Sequence, residues 1–152
     1  MGLAFWLVPI VRLGAAWWRL YRAEIFSWHG LAPPLAGALA GFVVLLAAGA
    51  LQSAFGGTMT NAAFAFIALF LVPLVTGAAA ALLPVLLRPG VQTAWHAAFR
   101  ARAGRYSGMR ALLFLLGGLA AILGRDEGFV LTLLTLVLSV AQLQHALTVR
   151  DD

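Results

Sequence analysis

The chain has no cysteine and no lysine. Without thiols it can form no disulfide, hold no thiolate-bound metal and run no thiol redox chemistry. Charge is scarce as well: 10% of the 152 residues are charged, against about 25% in soluble domains. The carboxylates are Glu24, Asp126, Glu127, Asp151 and Asp152. They form no paired-acid spacing, and the chain has no HExxH motif or phosphate-cradling glycine loop, so nothing in it points to catalysis. What remains is apolar, 63% hydrophobic with a mean hydropathy of +0.98. That composition belongs to a small polytopic membrane protein and excludes a soluble enzyme.

The basic residues are all arginine, and the net charge is 10 − 5 = +5. Arginine together with abundant Ala, Gly and Leu fits a GC-rich bacterial genome, so the expected location is the bacterial cytoplasmic (inner) membrane. In a soluble protein this excess would point to nucleic acid. Here the arginines flank apolar runs, anionic headgroups are the nearer partner, and no nucleic acid is expected.

Residues 1–30 read as an interfacial amphipathic helix. At about 100° per residue, Arg12, Arg19 and Arg22 fall within about 80° of one another, opposite Leu3, Trp6, Ile10, Leu13, Trp17 and Tyr21. Trp and Tyr favour the headgroup level, and the arginines reach lipid phosphate. Crossing from Gly2 to Trp18 instead would bury Arg12 at a cost of about 2.5–3.5 kcal/mol. The segment lacks a basic start, and Trp17-Trp18 stands where a cleavage site needs small residues, so it reads as retained rather than as a leader.

Residues 31–152 read as a four-helix transmembrane domain, all-α, with spans near 34–54, 62–87, 107–124 and 128–149. Gly30 and the Pro33-Pro34 pair end one helix and preset the next. The first span carries no charge, and Gly37 and Gly41 form a GxxxG packing pair. The second, at 26 residues, reaches about 39 Å, longer than the hydrocarbon core of about 30 Å, and Pro73 is the expected kink. The third holds only the apolar stretch 111–124, about 21 Å, and is expected to begin near Ser107 with Arg110 snorkelling to the interface. Gly117 and Gly118 give it a small face.

Arg88, Arg100, Arg102, Arg105 and Arg110 share one loop, whereas the Ser53–Asn61 turn has no charge. The positive-inside rule therefore places this loop, the N-terminus and the C-terminus in the cytoplasm. Val91, Trp95, Ala98 and Phe99 recur at helical spacing inside the loop and predict a second short interfacial helix. His29, His96 and His145 are expected near one interface as solvated or headgroup-contacting residues. They are not placed as a haem-ligand pair, and no metal or cofactor is expected.

The fourth span carries the one ordered polar pattern inside the membrane. Thr132, Thr135, Ser139 and Gln142 fall within about 80°, with His145 at the edge. Such side chains seek partners across a helix interface, at about 0.6 kcal/mol each on average. The expected function is that of a non-catalytic accessory subunit or assembly factor of a larger membrane complex, partnered by the bilayer and by other membrane subunits or itself. The alternative is a homo-oligomeric pore, a small-solute transporter, or a lipid- or quinone-binding protein that uses the polar face.

Overall fold

A computed structural model of the chain describes residues 2–56 and 61–148, with side chains from residue 8 onward. Leu3 and Trp6, expected on the apolar face of the first helix, and position 149, the expected end of the fourth span, therefore lie outside the described side chains or residues. The described residues are all-helical. Their elements are α1 (Gly2–Ile25), α2 (Ala32–Ala54), α3 (Ala62–Phe66) running through a π turn (Ile67–Leu71) into α4 (Val72–Leu87), α5 (Ala94–Ala103), α6 (Ser107–Ile122) and α7 (Glu127–Leu147). Three helices are long and apolar enough to cross a membrane: Ala32–Ala54, Ala62–Leu87 and Glu127–Leu147. α6 has 16 residues, about 24 Å.

Local sequence accounts for the boundaries. Gly30 takes φ +129°, open to glycine alone at little cost, and Pro33 and Pro34 occupy the first turn of α2, where a missing N–H is harmless. α6 ends in a turn through Gly124 at φ +72°, and α7 opens with Glu127 in its first turn, where a carboxylate suits the helix dipole. Pro73 has no N–H to give the Leu69 carbonyl. The chain accommodates it with the wide π turn just upstream, while Leu71 and Val72 keep helical dihedrals (φ −65°, ψ −49° and φ −68°, ψ −47°).

The helices meet through small residues, each with its own partner. Gly41 of α2 faces the backbone of Leu69, so closely that a Cβ there would lie 2.7 Å from the Leu69 carbonyl carbon. Gly118 of α6 closes on the Leu69 side chain from another side, and Leu69 is fully buried between them. Gly37 packs instead on Ala111 of α6, where an added Cβ would meet the alanine methyl at 3.1 Å. Gly117 abuts Thr132, and a Cβ on Gly128 would stand 2.5 Å from the Gly117 carbonyl oxygen, so α6 and α7 run backbone to backbone. The small faces of α2 and α6 are thus consumed within the chain.

The expected short helix of the basic loop is α5, with a different use for its apolar side. Trp95, Phe99 and Ala103 are buried together with Ala80 of α4 and Ala146 of α7. Val91 lies outside the helix and is exposed.

Candidate functional site

The polar stripe of α7 is buried at Thr132, Thr135 and Ser139. Its hydroxyls do not reach across to a neighbour. Each donates to the carbonyl four residues earlier in its own helix: Thr132 to Gly128 (2.8 Å), Thr135 to Leu131 (2.7 Å) and Ser139 to Thr135 (2.8 Å). The i−4 carbonyl is always within reach of a helical hydroxyl, and α6 presents glycines that carry no acceptor side chain. Gln142 does cross between elements, its Nε2 donating to the Arg102 carbonyl at 2.7 Å. His145 is exposed.

Ser139 also borders a void of about 10 Å³ at the loop-side end of the bundle, together with Thr76, Ser107 and Arg110. Ser107 is buried and its Oγ has no hydrogen-bond partner. Arg110 turns its guanidinium back along the chain, and Nη2 donates to the Ala103 carbonyl at 2.7 Å.

His96 corrects an expectation, for it is buried rather than solvated. Its Nδ1 accepts the Thr93 backbone N–H at 3.0 Å, which leaves the proton on Nε2 to be donated to the Arg88 carbonyl at 2.9 Å. The ring thereby caps α5 and ties it to the end of α4. The Arg88 guanidinium lies 4.2 Å from the centroid of Trp95. Arg100 donates to Gln92 at 2.9 Å. No three His, Cys, Asp or Glu side chains gather into a metal-binding group among the described residues.

A larger concavity lies elsewhere, beneath α1. This helix breaks its helical dihedrals at Tyr21 (φ −125°, ψ 18°). It touches the bundle with one stripe, Ile10, Gly14, Trp17 and Ile25, which is half-buried, while Arg12, Arg19 and Arg22 are exposed. The contact is loose: a Cβ added at Gly14 would meet Leu39 at an ordinary 3.7 Å. Between α1, α2 and α6 opens a groove of about 720 Å³, within the range of about 300–1,000 Å³ typical of ligand pockets. Trp17 and Trp18 wall it on α1, Leu39, Val43 and Val44 on α2, and Leu112 and Leu115 on α6, with Phe26 and Trp28 from the connecting segment. The one hydroxyl in its lining, that of Ser27, is engaged with the Glu24 and His29 carbonyls.

Reading the sequence alone missed this groove. Its signal was the density of tryptophan at 17, 18 and 28 beside a proline-initiated span, because bulky rings cannot close on a neighbouring helix as glycines do. No protein-family model, curated protein or solved structure matches the chain.

Proposed function

We propose that this is a non-catalytic, four-span protein of the bacterial cytoplasmic membrane that binds a bilayer lipid by sheathing an acyl chain in the groove between α1, α2 and α6. The groove carries this reading. It is walled by apolar side chains and runs along α2 from Pro33 to Val44, eleven residue steps or about 17 Å. That is close to one leaflet, half of the hydrocarbon core of about 30 Å. A partner's transmembrane helix would need the whole thickness. α1 meets α2 at Leu39, six residues beyond Pro33 and so about 9 Å into the bundle, inside the depth of about 5–10 Å at which interfacial helices sit.

In this reading α2, α3–α4, α6 and α7 are the crossings. α6 is short, and the backward reach of Arg110 to the Ala103 carbonyl is the posture of a snorkelling side chain that keeps its charge at the loop side. The loop with Arg88 to Arg110, α1 and both termini then share the cytoplasmic side. A cysteine at Thr58, unique in the chain, is expected to react with an impermeant label from the periplasmic side of intact cells. Reaction only after the cytoplasmic side is opened reverses this topology.

Native mass spectrometry of the gently extracted protein tests the lipid reading. Lipid adducts are expected on the unmodified protein and should be lost in Ala40→Phe, which adds an aromatic ring to the exposed α2 wall of the groove. The rival occupant is a helix of a larger complex, the accessory-subunit role. A stoichiometric protein displaced by Ala40→Phe, or no adduct at all, would overturn the lipid assignment.

A further inference from the structure

We infer that the lipid held in the groove is anionic and is taken from the arginine-bearing leaflet, its phosphate lying among Arg19, Arg22 and Arg105. The inference rests on the lipid reading above and adds the headgroup. Two backbone bonds, from Gly30 N–H to the Gly104 carbonyl (2.9 Å) and from Gly108 N–H to the Trp28 carbonyl (3.4 Å), hold the connecting segment against the 104–108 turn. They set the 104–108 turn, which carries Arg105, beside the end of the groove where Trp28 and Gly108 form the lining. Arg105 lies 5.0 Å over the ring of Tyr106 and donates one bond to its hydroxyl at 3.3 Å, which leaves further N–H groups of the guanidinium for a ligand.

On α1, Arg19 follows the groove residue Trp18 directly, and Arg22 comes four residues after it, just past the break at Tyr21. All three arginines are exposed, and Glu24 is the one carboxylate on these segments. A positive surplus at the open end of an apolar slot, framed by Trp and Tyr at headgroup level, matches an amphiphile with a hydrocarbon chain and a phosphate that carries no ammonium of its own. A zwitterionic headgroup gains less, because its own cation competes with the arginines.

The test reads tryptophan fluorescence in nanodiscs that carry a small, varied fraction of either phosphatidylglycerol or phosphatidylcholine with brominated chains, since bromine quenches the rings of Trp17, Trp18 and Trp28 on contact. Quenching is expected to saturate, with phosphatidylglycerol half-saturating at a mole fraction about 5-fold lower, which corresponds to about 1 kcal/mol in total. The combined Arg19→Gln, Arg22→Gln and Arg105→Gln variant should erase the preference, and Lys at the same three positions should restore it. Helical circular dichroism verifies that both variants fold.

Saturable quenching that is equal for the two lipids and abolished by Ala40→Phe overturns the headgroup assignment and leaves the groove standing. Quenching that never saturates and ignores Ala40→Phe overturns the groove reading itself. A phosphatidylglycerol preference that survives the Gln variant refutes the three arginines as its source.

Discussion

Two helix contacts in this chain sit at opposite extremes of closeness. At Leu69, α2 and α6 approach the π turn so nearly that only hydrogen fits at Gly41 and Gly118. At α1, a Cβ added at Gly14 would reach Leu39 of α2 only at ordinary van der Waals distance, with a groove of about 720 Å³ beside it. Both contacts are apolar, and the difference lies in shape. Where bilayer lipid is as apolar as the protein, helices gain by association only through close packing. Small residues therefore build the bundle, and the tryptophans of α1 hold that helix off and leave room for something else. The tight region sets the fold, and the loose one leaves an open groove.

Putting one methyl group into each region should break the symmetry of this description most sharply. Gly41→Ala places its Cβ against the Leu69 backbone, which no rotamer change relieves. Its cost is expected at or above the upper end of ordinary overpacking, about 3 kcal/mol. Gly14→Ala meets one flexible leucine methyl at 3.7 Å and should stay within about 0.5 kcal/mol. Thermal unfolding in detergent separates them, and similar losses for both would remove the distinction between tight and loose regions.

A second pair sharpens the picture inside the bundle. Gly117→Ala brings a methyl onto the Thr132 hydroxyl and to 3.2 Å from the Gly128 carbonyl oxygen, and should cost about 1–3 kcal/mol. Combining it with Thr132→Ala removes the nearest obstacle. The double variant is expected to recover at least about 1 kcal/mol relative to the sum of the singles. Strict additivity would mean that the conflict lies with the α7 backbone instead.

These contacts also mark what was legible beforehand. The three long apolar helices follow from hydropathy, since a run such as 34–54 without a charge has few other structures open to it. Pro73 was readable as a local irregularity, but not as a π turn, because the turn also carries Leu69, buried against Gly41 and Gly118 from two other helices. Gly37 and Gly41 read naturally as one strip facing one helix. In the fold they serve two partners, Ala111 of α6 and Leu69 of the π turn. His96 looked like a loop histidine, and its burial depends on α5 folding back onto α4 and α7. The groove left one trace, the tryptophans at 17, 18 and 28, but its position and width depend on the separation of elements, which no single segment encodes.

The polar stripe yields a smaller effect, now split by partner. Gln142→Leu removes a bond between two elements and is expected to cost about 1 kcal/mol, a typical net hydrogen bond. Thr135→Val removes a bond within α7 that survives when helices separate, and should cost less than about 0.6 kcal/mol. If Thr135→Val weakened the fold more than Gln142→Leu, the hydroxyls would be binding helices together after all.

The smallest effect concerns the seam between the regions, at the start of α6. Ser107 is buried with no protein partner for its Oγ, beside a void of about 10 Å³ shared with Thr76, Ser139 and Arg110. That volume is about one water, and four polar side chains meet the requirement of two to four partners for holding it. The hydroxyls of Thr76 and Ser139 spend their hydrogens on helix carbonyls, so they can only accept, and a water there would donate to them while accepting from Ser107. Ser107→Ala is then expected to cost about 0.5 kcal/mol, the low end for a net hydrogen bond, because the water keeps its other partners. In a dry void the same substitution would remove an unsatisfied buried hydroxyl and raise the unfolding temperature. The sign of that shift, read beside Gly14→Ala in the same detergent, decides whether the void beside Ser107 is wet.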